Sequence, residues 1–200
     1  DIIERKKIEY PNELSQILDL LCSSIGSLSN PSKIADTIRS KKGVKVSANT
    51  LKSYLEYLED AFLFCECKRY DVKGKAYFEY PMKYYCEDIG LRNARTGFRQ
   101  MEMTHIIENI VYLELLRRRY RVNIGKYENT EIDFVAQKQG EITYFQVTAD
   151  MTSEETFQRE MRPFTNIRDN YPKIVLTLDH FSSGNYDGIQ VVNVMDWLLD

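Results

Sequence analysis

Hydrophobic residues recur every three or four positions in three segments of the first half of the chain, as on the buried face of a helix. The first segment, residues 10–26, has a proline near its start and a glycine at its end. The second, residues 30–43, has Asn30 as its N-cap, and the third begins at Ser47. The pattern predicts three consecutive helices.

Two strand-like segments follow, residues 62–70 and 75–88, around the turn "DVKGK". A helix-turn-helix followed by a strand-turn-strand is the order of a winged helix. Cys65 and Cys67 fall on one side of the first strand, in a C-x-C spacing one residue short of the usual zinc motif. We interpret both as small buried apolar residues.

The second half alternates helical and strand-like patterns. A helical pattern runs from about residue 101 to 120, and Glu108 lies on its apolar stripe. Two strands joined by a short polar turn carry Asp133 on the first strand, then Gln146 and Thr148 on one face of the second. A further helix, two strands and a terminal helical turn complete the order.

The expected fold class is α/β, or α+β over the whole chain. It combines an N-terminal winged helix-turn-helix with a mixed sheet flanked by helices. We predict two domains, residues 1–97 and 98–200.

A helix with Glu, a strand with Asp and a strand with E-x-K are typical of restriction-endonuclease-like enzymes, whose carboxylates hold Mg²⁺. Glu108 and Asp133 fill the first two positions and are the candidate metal ligands. Gln146 and Thr148 replace the glutamate and the lysine, so the predicted catalytic set is degenerate. Lys173 is a candidate to supply the missing catalytic lysine from another position in the chain.

The segments "IENIVYLELLRRRYRV", "EIDFVAQ", "YFQVTAD", "EETFQREMRPFTNIRDNYPKIVLTLD" and "GIQVVNVMDWLL" together resemble a known family. It is the C-terminal domain of unknown function that follows the P-loop module of many bacterial and archaeal AAA-type ATPases. The resemblance implies a winged helix joined to a restriction-endonuclease-like domain. It also implies that ATP binds in an N-terminal module outside this fragment, because no G-x-x-x-x-G-K-[ST] motif is present. Within the segment "ETFQRE", we interpret Arg159 and Glu160 as a structural ion pair in preference to a functional one, because ion-pair networks commonly resemble functional sites.

Charge is distributed unevenly, with 16 Lys and Arg against 14 Asp and Glu in residues 1–97, and 11 against 16 in the remainder. Nucleic-acid contact therefore requires a local patch. The candidate contacts lie on the third helix, on the turn before it and on the wing; they are Lys41, Lys42, Lys45, Asn49, Lys52, Lys73 and Lys75.

We expect a cytoplasmic fragment, since the first residue is not Met and no apolar run is long enough to span a bilayer. The leading hypothesis is a non-catalytic accessory region of an AAA-type ATPase that engages DNA or a protein partner. It needs no cofactor in this fragment. One alternative is an active nuclease that uses Mg²⁺ or Mn²⁺ with Glu108 and Asp133. Another is a protein–protein module that regulates the ATPase.

Overall fold

The computed structural model describes the backbone of residues 2–42, 46–98 and 102–200. Contacts within the chain divide it into two compact units. The first comprises residues 1–67 and 80–101, and the second comprises residues 68–79 and 102–200. The end of the predicted wing therefore belongs to the second unit. The predicted division at residues 97 and 98 stays a prediction about domains.

The first unit contains the three predicted helices, and two of them have the capping contacts that the sequence suggests. Asn30 Oδ1 accepts the Lys33 N–H at 2.7 Å, and Ser47 Oγ accepts the Thr50 N–H at 3.0 Å. The helices of this unit are α1 (Ile2–Arg5), α2 (Pro11–Ser23), α3 (Pro31–Lys42), α4 (Ala48–Asp60) and α5 (Ile89–Arg95).

Two strands, β1 (Phe64–Asp71) and β2 (Ala76–Cys86), follow α4 and contribute to both units. In the first unit, Met82 of β2 forms an antiparallel bridge with Ser29, with N···O distances of 2.7 and 2.9 Å. The apolar faces of α2, α3 and α4 pack with this part of the strands in one core. The helices and the strand-turn-strand thus follow the predicted winged-helix order.

The described cysteines are consistent with the apolar interpretation. Cys67 is fully buried, whereas Cys65 is half-buried and donates its thiol hydrogen to Glu87 at 2.6 Å. Burial, with the adjacent Glu87, raises the pKa of Cys65 to about 12, so its thiol stays protonated at neutral pH.

The second unit is built on a mixed sheet with helices packed against it. Its strands run in the order β2-β1-β3-β4-β5-β6-β8-β7. The β3-β4-β5 pairs are antiparallel, and β5-β6-β8 are parallel. Its elements are α6 (Met103–Arg117), β3 (Arg121–Tyr127), β4 (Thr130–Lys138), β5 (Glu141–Thr148), α7 (Glu154–Thr165), β6 (Lys173–Thr177), β7 (Gly184–Tyr186), β8 (Ile189–Asn193) and α8 (Val194–Leu199).

The helices of the second unit pack against the sheet through aromatic and aliphatic side chains. Tyr112 of α6 packs against Phe134 with ring centroids 5.8 Å apart, and Trp197 of α8 packs against Phe145 at 5.9 Å. Met161 and Phe164 of α7 belong to a separate buried cluster with residues of β4, β5, β6 and β8. The predicted α/β class, with a helical N-terminal region and a C-terminal mixed sheet, is confirmed.

Two strands of this unit have no counterpart in the sequence prediction. The segment after α6 forms β3, which pairs with both β1 and β4, and a short β7 precedes β8. Among the residues that the structure describes, no helix has the length and apolar character to cross a bilayer.

Candidate functional site

The strand that carries Asp133, β4, departs from regular pairing with its neighbour β3 close to that residue. Between Asn123 and Gly125, β3 advances two residues while its partners on β4 advance three, from Val135 to Ile132. The extra residue is a β-bulge, a feature found next to active sites because it re-aims a side chain. The close approach also explains Gly125, since an added Cβ would lie 2.7 Å from Ile132 Cβ.

Asp133 and Gln146 connect β4 and β5 where regular backbone pairing ends. The strand ladder extends only to the pair Phe134 and Phe145. Beyond it, the Val147 N–H donates to Asp133 Oδ2 at 2.8 Å, and the Asp133 N–H donates to Gln146 Oε1 at 3.3 Å. Both side chains therefore satisfy backbone amides that the ladder leaves unpaired.

Gln146 also reaches the helix packed on that face of the sheet. Its Nε2 donates to Glu160 Oε2 of α7 at 3.1 Å. The other oxygen, Glu160 Oε1, accepts from Arg159 Nε at 3.0 Å and lies 2.9 Å from Arg159 Nη2. Glu160 is 7% exposed, so this contact provides a buried carboxylate with the polar partners that it requires. We call Asp133, Gln146, Arg159 and Glu160 the Gln146 network.

Glu108 is on α6, where it is buried on the apolar stripe as predicted. Its Oε2 lies 3.7 Å from His105 Nδ1, and His105 Nε2 lies 3.1 Å from Glu102. A histidine one turn before Glu108 supplies a nearby polar and ionisable group, which the sequence pattern did not indicate. Within the described residues, no three His, Cys, Asp or Glu side chains are grouped so that they could hold a metal ion. Metal binding by Glu108 and Asp133 stays a prediction.

Thr148 lies two residues beyond Gln146 and is buried. Its hydroxyl donates to the Asp150 carbonyl at 3.2 Å and so stabilises the turn after β5. The Asp150 carboxylate accepts the N–H and hydroxyl of Thr152, and these bonds hold the pKa of Asp150 below its usual value. The position expected for the catalytic lysine therefore contains a turn-forming side chain.

Lys173 does not reach the Gln146 network. It opens β6 opposite Tyr144, two positions before the residue opposite Gln146. Its ammonium group donates to the carboxylate and carbonyl of Asp169 at 3.1 and 3.0 Å, and to the Tyr171 carbonyl at 3.2 Å. With three acceptors in place, Lys173 is occupied in the loop before β6.

The candidate nucleic-acid contacts separate between the two units. Asn49 and Lys52 are exposed on α4 in the first unit. Lys73 and Lys75 are exposed in the second unit, where Lys73 forms a 2.6 Å ion pair with Glu128 that raises the pKa of Lys73. Lys45 and the side chains of Lys41 and Lys42 lie outside the described part of the chain.

Comparison with known families identifies both parts of the chain. A family described as "Domain of unknown function (DUF8612)" matches residues 1–102. The chain belongs to the DUF8612 family. A second family, "Domain of unknown function (DUF4143)", matches residues 103–197, so the DUF8612 region is followed directly by a DUF4143 region.

Two curated relatives of this DUF8612 chain are both described as uncharacterised proteins. The relative from Haemophilus influenzae is 40% identical over 199 residues, which is 100% of this chain and 49% of that protein. The relative from Methanocaldococcus jannaschii is 29% identical over 139 residues, 68% of this chain and 30% of that protein. The chain thus spans about half or less of the relatives that it matches. No solved structure matches it.

Proposed function

We propose that this chain is a non-catalytic accessory region of an AAA-type ATPase, in which a nuclease-like sheet serves as scaffold and the N-terminal helical unit engages duplex DNA. The observation that carries the non-catalytic part is the link from Gln146 to Glu160. A neutral amide joins β5 to α7 at the position where a nuclease requires a metal-binding carboxylate.

The residue chemistry supports the loss of cleavage. Gln146 offers only a neutral amide oxygen, which is a weaker ligand for a hard dication than a carboxylate. Thr148 has no positive charge to stabilise a developing anion, and its hydroxyl is bonded to Asp150. Loss of one electrostatic stabiliser commonly lowers a catalytic rate by about 100- to 1,000-fold. Two such changes predict a rate too small to serve a function.

The ATPase connection rests on sequence resemblance and on the relatives. The ordered motifs from Glu108 onwards resemble the domain that follows ATPase modules. The Haemophilus influenzae relative is about twice as long as the segment it shares with this chain. That extra length is sufficient for a nucleotide-binding module, because domains commonly contain 100–200 residues.

The second helix of the predicted helix-turn-helix, α4, supports DNA engagement. The cap contact of Ser47 fixes where α4 begins, and Asn49 and Lys52 are exposed within its first two turns. The first residues of such a helix contact base edges in the major groove, and lysines contact phosphates. This geometry favours duplex DNA as the partner of the first unit.

Cleavage and binding are tested separately. Duplex and single-stranded DNA are incubated with Mg²⁺ or Mn²⁺ and either the wild-type chain or Asp133→Asn, whose amide oxygen can still accept the Val147 N–H. We expect equal, background cleavage by both proteins. Metal-dependent cleavage that is lost in Asp133→Asn would establish a nuclease and overturn the non-catalytic assignment.

Duplex binding is measured by fluorescence anisotropy over a salt series. Lys52→Glu should weaken binding at least tenfold, because it replaces a phosphate-attracting charge with a repulsive one. Arg5→Glu, the same charge change on the exposed end of α1, is the matched control and should leave binding nearly unchanged. If the wild-type chain binds no duplex at low salt, DNA engagement by α4 is wrong.

A further inference from the structure

A basic run, "RRRYR", spans residues 117–121 between α6 and β3. Its first two arginines share one carboxylate, that of Glu114, which lies 2.6 Å from Arg117 and from Arg118. Arg118 also stacks over Trp197 at 4.3 Å and donates to the Trp197 carbonyl at 2.5 Å. Arg118 therefore links α6 to α8, whereas Arg117 pairs within α6.

Arg121 lies over an aromatic ring instead of beside a carboxylate. Its guanidinium lies 4.6 Å from the centroid of Tyr77, and the Tyr77 ring lies 4.9 Å from that of Tyr70. The Tyr77 hydroxyl donates to Gln137 Oε1 at 3.2 Å, which fixes the ring. A guanidinium stacked in this way keeps its N–H groups available for a phosphate.

A second cation at the same end of the sheet has a similar support. Arg121 and Gln137 are the last pair of the β3-β4 ladder, and Tyr120 and Lys138 are the next residues outward. Lys138 Nζ lies 5.3 Å from the centroid of the Tyr120 ring. Arg119, adjacent in the chain, is exposed. We call Tyr77, Arg119, Tyr120, Arg121 and Lys138 the sheet-end cluster.

The charges of this cluster are not cancelled locally. Among the described side chains, no carboxylate lies within 4 Å of Arg119, Arg121 or Lys138. Glu141, opposite Lys138 in the β4-β5 register, is the acidic residue placed nearest by the strand pairing. An aromatic ring attracts a cation without removing its net charge, so the cluster presents positive charge to solvent.

We propose that the sheet-end cluster binds single-stranded nucleic acid. Arg121, Lys138 and Arg119 contact successive phosphates, and an unpaired base packs on the exposed surface of Tyr77, which is 47% accessible. Cations beside exposed aromatic rings are typical of single-strand sites, because unpaired bases offer their faces for stacking. This site goes beyond the proposed role of α4, and it uses different residues in the other unit.

The test compares two arginines of the same run. Anisotropy is measured with a labelled oligothymidylate of about 16 nucleotides. Arg121→Gln should weaken binding several-fold and reduce the slope of log K against log salt by about 0.7, as expected for one lost phosphate contact. Arg117→Gln removes the same charge but leaves Glu114 bonded to Arg118, so its effect should be much smaller.

The aromatic contribution is tested with two substitutions of one residue. Tyr77→Ala should weaken binding by about 5- to 100-fold, the range expected for a lost base stack. Tyr77→Phe keeps the ring and should retain most of the affinity, although it loses the hydrogen bond to Gln137. Thermal unfolding of each variant checks that the chain remains folded.

Several outcomes would overturn the inference. These are no binding of the single strand by the wild-type chain, equal losses in the Arg117 and Arg121 variants, or competition by polyglutamate as strong as by the oligonucleotide. The last would indicate a surface for acidic proteins. Lys52→Glu distinguishes the two proposals, since it should weaken duplex binding by α4 at least tenfold and leave single-strand binding unchanged.

Discussion

The Gln146 network and the sheet-end cluster lie in one unit but differ in how their charged groups are placed: those of the network are hydrogen-bonded within the fold, and those of the cluster are exposed. In the network, Glu160 is buried and accepts from both Gln146 and Arg159. In the cluster, Arg121 is exposed and lies on a tyrosine ring that leaves its charge uncompensated. Charge that is satisfied internally stabilises a fold, whereas charge that is held in place but not cancelled can attract a ligand. The comparison predicts that a group's place in a nuclease-like pattern is a weaker guide to function than how completely its polar atoms are satisfied within the fold.

The largest effect is expected when the carboxylate of the nuclease-like pattern is restored at position 146. Gln146→Glu places a second carboxylate where the amide now donates to Glu160 at 3.1 Å. We expect a loss of about 3–5 kcal/mol in the free energy of unfolding, as for a buried charge whose partner is removed. Urea unfolding measures it. Gln146→Met, which removes the hydrogen bonds without adding charge, should cost about 1–3 kcal/mol.

The same unfolding experiment with added Mg²⁺ tests whether the restored carboxylate creates a metal site. If Gln146→Glu is more stable in Mg²⁺ than in EDTA while the wild-type chain is not, the scaffold retains a latent metal site, because binding to the folded state alone adds stability. A Gln146→Glu variant as stable as wild type without metal would contradict the structural role assigned to the network.

A smaller difference in unfolding free energy is expected between Arg118, which is bonded to other elements of the fold, and Arg121, which lies on an exposed tyrosine ring. Arg118→Ala loses bonds to Glu114 and the Trp197 carbonyl as well as the stack on Trp197, and should cost about 1–3 kcal/mol in unfolding free energy. Arg121→Ala loses a cation–π contact at an exposed site and should cost about 0.5–1 kcal/mol. Equal losses in urea unfolding would mean that Arg121 is also a structural residue.

The smallest expected effect depends on pH. Hydrogen bonding by Arg117, helped by Arg118 and opposed by burial, lowers the pKa of Glu114 from 4.5 to about 2. A depressed folded pKa means that the stabilisation is complete above pH 4.5 and is lost as pH falls through about 2. Glu114→Gln should therefore cost about 1 kcal/mol or less near neutral pH. It should also flatten the acid side of the stability curve in urea titrations, and an unchanged curve would exclude the pair as a source of acid sensitivity.

Local sequence patterns determined most of the helices and several strands. The stripe containing Glu108 is buried as its helical spacing requires, and the Asn30 and Ser47 caps bond as their residue types predict. The pairing of Glu114 with the two arginines that follow it also comes from spacing alone, since residues three and four apart share a helix face. Such features depend on residues close in the chain.

Only the tertiary structure decided which polar side chains are bonded within the fold and which are left exposed to a ligand. The β3 strand has no counterpart among the predicted strands, and its role depends on pairing with β1 and β4. The bond from Gln146 to Glu160 joins residues 14 positions apart, and the stacking of Arg121 on Tyr77 joins residues 44 positions apart. The bulge at Asp133 depends on the register between β3 and β4. A single sequence does not reveal which residues of distant segments are paired, because the strand register is set by packing across the whole sheet. The nuclease-like pattern was therefore readable from residues in order, but only the folded chain distinguishes the satisfied amide at Gln146 from the uncancelled cation at Arg121.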